Sequence, residues 1–506
     1  KMKKIKGILS ILIIVILVFG FAGCSKDNNS DSGADTSKGT STDEGNKELE
    51  HVNLTWYYPG SYPFKDQELV FAEANKIIKE KINATVEFKA LPWGEYEDKM
   101  RVVMGADEDY DIAFTSNWFN NYHSNVAMGA YLPLNDLLPK YAPTLYKSVP
   151  EKFWEATKVD GQIYGLVNYQ ISARTAALNM KKENVEKLGI AKDTVFDSID
   201  DLEPYLEKAK GIFPPDMIPI LSEWRMSLQE AVGQEWIAGA SIPGAIYLND
   251  KNAKVFNQFK SEEFKKHVER NKIWAEKGYL GGDALFSAKD TGTFVNQGKV
   301  IFSVGGTWKP GVDEEETARR GYEFWVKPLS DAYVTTGGII ATMHAINSNS
   351  KNPERAMMLM ELMNTDVELY NIIAYGIEGT HYNKLEDGTV EVIPDAGYNP
   401  GTLWLHASTF NAHIMKGMPL DVWEQTKKIN LEAQASPLLG FSFNPESVSA
   451  EMAQCESVVN EFIKSFDFGV GDVDSLYEKF VEKLDKAGAQ TIIDEIQRQI
   501  DEWMGK

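Results

Sequence analysis

The fold is decided by three stretches near the start of the chain, VNLTWYYPG (52–60), VEFKA (86–90) and DIAFTSNW (111–118). The first two alternate apolar and polar residues, which is typical of strands, and DIAFT has the composition of a short buried strand. Between the three stretches, apolar residues recur at helical spacing from 70 to 82 and from 96 to 104. Strands that alternate with helices in this order predict a parallel sheet with right-handed crossovers, and therefore an α/β fold.

Aromatic and polar residues stand where two of these strands end. Tyr57 and Tyr58 close the first strand, and Asn117 and Trp118 follow the third. In open sheets of this kind, ligands bind beyond the carboxyl ends of the strands. We therefore predict that these four residues contact a ligand.

The N-terminus has the three parts of a secretory signal peptide. Four lysines fall within the first six residues, an apolar run covers 8–19, and Ala22-Gly23-Cys24 closes the segment. The run is short for a stable transmembrane helix, which needs ~20 apolar residues. The cysteine resembles that of the bacterial lipobox, and the resemblance implies cleavage after residue 23 and a lipid on Cys24. An uncleaved membrane anchor is the alternative.

Composition bounds the remainder of the chain. Residues 24–50 contain almost nothing apolar and predict a flexible tether, because they cannot bury enough surface to offset their ordering entropy. The ~455 residues that follow exceed one ordinary core, which predicts two lobes. A net charge of −22 argues against nucleic acid as a partner. If Cys24 carries a lipid, Cys455 has no cysteine partner and is expected to be a small buried hydrophobe.

The ordered set of these features resembles the extracellular solute-binding proteins of bacterial carbohydrate ABC importers. The resemblance rests on the lipobox-like exit, on Asp111-Ile112-Ala113-Phe114 with its polar and aromatic exit, on Gly161-Gln162-Ile163-Tyr164-Gly165-Leu166, and on the segment from Tyr375 to Tyr382. Within the last segment, Gly376-Ile377-Glu378-Gly379 is similar to the Gly-x-Glu-Gly element of a lipoprotein subgroup with an extended C-terminal region.

The resemblance implies a type II fold of two α/β lobes, joined by crossing hinge strands and followed by a helical C-terminal region. We expect a signal peptide over 1–23, a tether over 24–50, the first lobe over 51–168 and 337–398, and the second lobe over 169–336. Residues 399–506 are expected to be mostly helical and to belong to the second lobe. The resemblance also implies capture of a carbohydrate, delivery to the permease subunits of an ABC transporter, a monomer, and attachment through Cys24 to the extracellular face of the cell membrane.

Sugars present apolar C–H faces to aromatic rings and hydroxyls to Asp, Glu, Asn and Arg. The chain has 12 tryptophans, and four of them lie near polar residues at strand ends or in loops. These are Trp118, Trp308, Trp224 and Trp404. Each is either a ligand contact or a core residue. We predict that Trp118 and Trp308 come from opposite lobes and sandwich a sugar ring when the lobes close.

Polar candidates complete the predicted site. Glu378 lies in a tight segment where it could accept two sugar hydroxyls, cap a helix or pair with Arg174, and His381 follows it closely. Arg174 is the only basic residue between Gly161 and Met180, so it either contacts the ligand or bridges the lobes.

Enzyme signatures are weak by comparison. The sequence contains no Gly-x-x-x-x-Gly-Lys-Ser/Thr loop, no His-Glu-x-x-His and no Gly-x-Ser-x-Gly, so no cofactor, metal or catalytic residue is predicted. A glycoside hydrolase needs only two well-placed carboxylates, and 74 acidic residues leave that alternative open. A ligand-sensing partner of a membrane receptor is the second alternative.

Overall fold

The computed structural model describes residues 49–106, 108–225 and 228–505. The predicted signal peptide, Cys24 and residues 24–48 of the predicted tether lie outside the described residues. Among the helices that are described, none combines the length and the apolar character needed to cross a membrane.

Strands and helices alternate along most of the described chain. In chain order, the strands are β1 (Val52–Gly60), β2 (Ala84–Pro92), β3 (Ile112–Thr115), β4 (Lys158–Val159), β5 (Gln162–Ile163), β6 (Leu166–Val167), β7 (Ala173–Arg174), β8 (Ala176–Lys181), β9 (Ile218–Leu221), β10 (Gln234–Trp236), β11 (Ala245–Tyr247), β12 (Val300–Thr307), β13 (Phe324–Pro328), β14 (Tyr333–Val334), β15 (Met343–Ile346), β16 (Tyr382–Lys384), β17 (Val390–Val392) and β18 (Gln434–Ala435).

The α-helices are α1 (Gln67–Ile82), α2 (Trp93–Gly105), α3 (Tyr122–Ala127), α4 (Leu137–Tyr141), α5 (Pro143–Ser148), α6 (Glu151–Ala156), α7 (Lys182–Lys187), α8 (Glu203–Ile212), α9 (Leu228–Ala231), α10 (Glu262–Glu276), α11 (Gly282–Ser287), α12 (Gly292–Asn296), α13 (Val312–Arg320), α14 (Thr336–Ile339), α15 (Pro353–Thr365), α16 (Val367–Tyr375), α17 (Val422–Glu432), α18 (Ser449–Phe468), α19 (Val473–Lys486) and α20 (Ala489–Trp503). In the described part of the chain, 3-10 turns lie at Ile199–Leu202, Gln258–Lys260, Thr409–Asn411 and Glu446–Val448.

The first lobe is built on a five-stranded sheet in the order β2-β1-β3-β15-β6. β1 pairs in parallel with both β2 and β3, which confirms the parallel sheet predicted from the alternating residues. β15 arrives from a much later part of the chain and pairs antiparallel to β3 and β6. The carboxyl ends of β1, β2 and β3 therefore lie at one edge of the sheet.

The second lobe is built on a four-stranded sheet in the order β13-β8-β12-β9. β9 and β12 are parallel, and β8 runs antiparallel between β12 and β13. Helices α10, α18, α19 and α20 pack on this lobe and bury one face each. Cys455 on α18 is fully buried in its core, as the sequence predicted, and burial raises the pKa of its thiol to about 11.

A small hinge sheet joins the two lobes. Its order is β18-β14-β7, with β14 parallel to β18 and antiparallel to β7. The chain therefore crosses between lobes three times, at 173–174, 333–334 and 434–435. The crossing strands and the two-lobed α/β architecture predicted from the resemblance are confirmed.

The C-terminal segment 399–506 was expected to lie in the second lobe, and core packing divides it instead. Leu403, Leu405 and Trp423 lie in the core of the first lobe. Leu438, Phe466 and Ile496 lie in the core of the second. The division falls at β18, a strand of two exposed residues that no hydrophobic pattern marks.

Candidate functional site

Three tryptophans gather at the edge of the first lobe where β2 and β3 end. Trp93 follows β2 directly, Trp118 stands three residues after β3, and Trp404 belongs to a loop between β17 and α17. The ring centroids of Trp93 lie 6.0 Å from those of Trp118 and 5.9 Å from those of Trp404. The Trp118 and Trp404 rings lie 6.5 Å apart. These three rings, which we call the tryptophan platform, form a contiguous aromatic surface.

Trp118 is the exposed member of the platform. Its side chain is 53% exposed, although its Nε1 donates a hydrogen bond to the Ala341 carbonyl at 2.8 Å. The Ser116 hydroxyl accepts hydrogen bonds from the backbone N–H groups of Trp118 and Phe119, which fixes the turn after β3. A large apolar ring that is held rigidly and left open to solvent is typical of a binding surface.

Asn117 lies against the short helix α14. Its backbone N–H donates to the Ile340 carbonyl at 3.3 Å. A Cβ on Gly337 would lie 3.0 Å from the Asn117 amide nitrogen, so the glycine allows the two segments to approach. The structure thus brings Asn117 and Trp118 together beside the segment 335–341.

Arg174 lies on the other side of that segment, in the hinge. It belongs to β7, where it is paired with Tyr333 of β14. A Cβ on Gly338 would lie 2.5 Å from the Ser172 carbonyl oxygen and 3.1 Å from Arg174 Cγ. Arg174 and Asn117 therefore lie against neighbouring residues of the same helix α14.

Tyr57 and Tyr58 are placed inside the first lobe. Tyr58 is fully buried against Trp56 and His406, and this burial raises the pKa of its hydroxyl well above the ordinary value. Tyr57 points to the opposite face and packs edge-on against Tyr110. The strand-end prediction was wrong for Tyr58, because β1 continues to Gly60 and its last residues still belong to the core.

Trp224 is placed in the core of the second lobe. Its ring stacks on Trp236 at 5.6 Å, and its backbone N–H donates to an Asp467 carboxylate oxygen at 2.9 Å. Only 1% of the residue is exposed, so ligand contact by Trp224 is ruled out in this arrangement. Its neighbour Arg225 stays half-buried and donates hydrogen bonds to Ser241 and Asn460.

Trp308 lies at the carboxyl end of β12, in the second lobe. Its backbone N–H donates to the Thr175 carbonyl at 3.0 Å, which places it where β12 meets the crossing strand. The side chain is half-buried and packs against a small cluster that includes Val312 and Phe324. Trp118 and Trp308 therefore belong to different lobes, and both stand at strand ends near the hinge.

Glu378 and His381 lie on the turn between α16 and β16. Glu378 is exposed on a turn, whereas His381 is buried and its Nδ1 accepts the Ile377 N–H at 2.9 Å. His381 Nε2 lies 3.6 Å from Asp66, next to the N-terminal end of α1. Gly376 has φ 89° and packs on the histidine ring, where a Cβ would be 2.6 Å from Nδ1. This packing assigns His381 a structural part in holding the turn.

Trp93 is a platform residue that the sequence analysis missed. It comes immediately after Pro92, at the carboxyl end of the strand predicted around 86–90. The rule that singled out Trp118 applies equally to Trp93. The alternating pattern ends at Ala90, two residues before the end of β2, so the pattern alone does not place Trp93 at a strand end.

Groups suited to other chemistry are sparse in the part of the chain that is described. Within 49–106, 108–225 and 228–505, no three His, Cys, Asp or Glu side chains cluster in a way that could hold a metal ion. Desolvation lowers the pKa of buried His406 to about 3 and that of half-buried His123 to about 4, which favours the neutral form of both rings.

Comparison with known proteins gives one matching family for most of the chain. Residues 65–368 match the family described as bacterial extracellular solute-binding protein. Residues 437–505 match a domain of unknown function, DUF3502. The second match coincides with the part of the C-terminal segment that packs on the second lobe.

Individual relatives cover nearly the full length. A carbohydrate ABC transporter substrate-binding protein of Streptococcus pneumoniae serotype 4 is 29% identical over 521 residues, which cover 97% of this chain and 96% of that protein. The crystal structure of the N-glycan transport solute-binding protein from S. pneumoniae is 27% identical, with a TM-score of 0.79 over 90% of this chain and 100% of that one. Its complex with Man5GlcNAc is 28% identical, with a TM-score of 0.73 over 90% of this chain and 99% of that one.

Proposed function

This chain belongs to the bacterial extracellular solute-binding proteins, and from that premise we propose that it captures an oligosaccharide between its lobes and delivers it to an ABC importer. The observation that carries the proposal is the tryptophan platform. Three contiguous indole rings at the cleft edge of one lobe offer flat apolar faces, and Trp118 is the most open of them. Such faces suit the C–H surfaces of sugar rings.

Polar groups beside the platform supply the second half of sugar recognition. Asn117 offers an amide and Arg174 a guanidinium on either side of α14, and both groups can bond to hydroxyls. Trp308 of the second lobe provides the opposing wall in our proposal. Closure about the hinge sheet would bring it over a sugar that is already stacked on Trp118, so that binding and closure are coupled.

We propose a mannose-containing oligosaccharide as the ligand class. The solved structures of the S. pneumoniae N-glycan transport protein hold Man1GlcNAc and Man5GlcNAc, and that protein aligns with 90% of this chain.

The proposal also includes the cellular setting predicted from the sequence. The protein would be a monomer held on the extracellular face of the cell membrane by a lipid on Cys24, with permease subunits as its partners. The first lobe would comprise 51–172 and 335–433, and the second 175–332 and 436–506, because these ranges pack around separate cores.

Titration calorimetry of the secreted body with Man5GlcNAc tests the proposal. We expect saturable binding, with the sugar recovered intact by mass spectrometry. Trp118→Ala should weaken binding about 2- to 12-fold, since an aromatic contact contributes ~0.5–1.5 kcal/mol. Trp503→Ala is the matched control, because Trp503 is 47% exposed on α20, in the second lobe. Shortened sugars would indicate a glycoside hydrolase, and equal weakening by both variants would contradict the platform.

A further inference from the structure

The loop that carries Trp404 has no regular structure of its own to hold it. Residues 399–408 lie between β17 and α17 and belong to neither helix nor strand. A platform built from three separate segments needs each ring fixed, because a mobile ring pays ordering entropy when the ligand binds. The position of the Trp404 ring therefore depends on how the backbone of its loop is held.

One buried amide binds the backbone carbonyls at Trp404 itself, and on either side of it the Tyr370 hydroxyl donates to the Leu403 carbonyl and the Asn364 side-chain oxygen accepts the Ser408 N–H. Asn168 follows β6 and is 2% exposed. Its Nδ2 donates hydrogen bonds to the carbonyl oxygens of Leu405 at 2.6 Å and of Trp404 at 3.3 Å. The backbone N–H of Asn168 donates to the Thr342 carbonyl. Thr342 follows Ala341, whose carbonyl accepts the hydrogen bond from Trp118 Nε1, so the Asn168 backbone is fixed beside that contact.

His344 orients the amide. Because Asn168 Nδ2 faces two carbonyl acceptors, Asn168 Oδ1 must face a donor, and His344 Nδ1 lies 3.1 Å from it. His344 Nδ1 therefore carries a hydrogen, and in the neutral form of the ring it is the only nitrogen that does. Burial lowers the pKa of His344 well below its ordinary value, which is consistent with this neutral form.

The histidine is in turn fixed by the central sheet. His344 lies on β15 opposite Phe114 of β3, and its ring packs edge-on against Trp56 at 5.1 Å. The Phe114 ring also lies 6.5 Å from Trp404 and 6.4 Å from Trp118. A continuous set of contacts thus runs from the sheet through His344 and Asn168 to the platform.

We infer that Asn168, oriented by His344, is a positioning residue that holds Trp404 in the tryptophan platform and thereby tightens sugar binding. The inference rests on the proposed function for its effect on affinity. Its structural half, that Asn168 sets the position of the Trp404 ring, stands independently of any ligand.

A double-mutant cycle tests the effect on affinity. Asn168→Ala, Trp404→Ala and the double variant are titrated with Man5GlcNAc. Asn168→Ala should weaken binding about 2- to 10-fold in the presence of Trp404, as expected from the net contribution of one or two hydrogen bonds. In the Trp404→Ala background the same change should have no further effect. An equal loss in both backgrounds would overturn the inference, because Asn168 would then act on the fold in general.

Asn347→Ala is the matched control for folding. Asn347 is also a buried asparagine of the first lobe, and its Nδ2 donates to the Tyr110 carbonyl at 3.0 Å, outside the platform. We expect it to lower the melting temperature to an extent comparable with Asn168→Ala and to leave the affinity unchanged. If it weakens sugar binding as much as Asn168→Ala does, any loss of first-lobe stability suffices and the positioning role is wrong.

A measurement without ligand separates this inference from the proposed function. The protein is labelled with 5-fluorotryptophan, and the Trp404 resonance in the fluorine NMR spectrum is assigned with Trp404→Phe. Asn168→Ala should shift or broaden the Trp404 resonance more than that of buried Trp224. An unchanged Trp404 resonance overturns the positioning inference even if the sugar binds. A shifted resonance in a protein that binds no Man5GlcNAc supports the inference and contradicts the proposed ligand class.

Discussion

Trp118 and Trp224 have the same relation to a strand and opposite environments. Each stands three residues after the last residue of a strand, β3 for Trp118 and β9 for Trp224. Trp118 is 53% exposed, whereas Trp224 is 1% exposed. The same local signal therefore leads to a binding surface in one lobe and to a core residue in the other.

The difference comes from what other parts of the chain place over each ring. Trp224 is covered by Phe264 and His267 of α10, and Asp467 of α18 binds its backbone. Trp118 is contacted by neighbouring aromatic rings, with Phe119 stacked on it at 5.4 Å, and by the Ala341 carbonyl, and these contacts leave it 53% exposed. A strand end thus provides an exit from the sheet, and distant helices decide whether the residue there reaches solvent.

The largest expected effect is on stability, in the second lobe. Trp224→Ala should lower the free energy of unfolding by about 3–5 kcal/mol, because it leaves a large cavity among Trp236, Phe264 and His267. Denaturant unfolding measures the loss, and sugar affinity of the folded fraction should stay near that of the wild type. A loss below ~1 kcal/mol combined with weaker binding would place Trp224 in the cleft after all.

The next largest expected effect is a difference between the two lobes in how much stability they lose at low pH. The folded pKa of His406 is about 3 and that of His123 about 4, so lowering the pH below 6.5 protonates these groups first in the unfolded chain. Each neutral histidine makes its full contribution to the free energy of unfolding above pH 6.5. This contribution decreases as the pH falls towards the folded pKa, and about 2 kcal/mol per group is lost at pH 5.

In the second lobe, burial also lowers the pKa of His267, but Asp467 at 2.8 Å favours its charged form and offsets part of this effect. Amide hydrogen exchange at pH 7 and pH 5 should therefore show a greater loss of protection in β1 and β15 than in β8 and β12. An equal loss in both sheets would show that the histidines do not determine acid sensitivity.

Trp93→Ala tests whether a half-buried ring of the platform contributes to sugar binding as Trp118 does. The Trp93 ring contacts the rings of both Trp118 and Trp404, and we expect its removal to weaken sugar binding about 2- to 12-fold. Because Trp93 is only half-buried, the melting temperature should change little. Calorimetry with Man5GlcNAc is the measurement, and unchanged affinity would remove Trp93 from the platform.

Trp308→Ala has the smallest expected effect on affinity. The ring is half-buried against Val312 and Phe324, so only part of it is available to a sugar after closure. We expect a loss of about 2- to 5-fold, from a contact near the low end of the aromatic range. Combining Trp308→Ala with Trp118→Ala should weaken binding by the product of the two effects or less. If Trp308→Ala changes only stability, the second lobe grips the ligand with other residues.

Local patterns predicted the first sheet well because each strand there carries its own signal. VNLTWY and VEFKA alternate, and DIAFT is wholly buried, so pairing of β1 with β2 and β3 follows from neighbours in sequence. Strand β15 joins the same sheet in a different way. It completes the sheet from a segment more than 200 residues away, and only folding brings it between β3 and β6.

The candidate site shows the same difference between what local sequence patterns predict and what folding alone determines. Asn117, Trp118 and Arg174 were identified from strand ends and from the crossing segment, and they flank one short helix in the structure. Glu378 and His381 were identified from a motif; the structure buries His381 near Asp66 at the start of α1 and leaves Glu378 exposed. A motif fixes the conformation of a turn, but it does not say which edge of the lobe the turn faces.

By itself, the amino-acid sequence determined the α/β class, the parallel order of the first strands and the supply of aromatic residues at strand ends, because periodicity and strand exits are local properties. Only the tertiary structure decided which tryptophans form the platform, that Asn168 supports one of them, and that the chain crosses the hinge a third time at β18. These depend on contacts between residues far apart in sequence, such as Asn168 with Leu405 and Trp224 with Asp467, whose side chains cover or support a ring only after both lobes have packed.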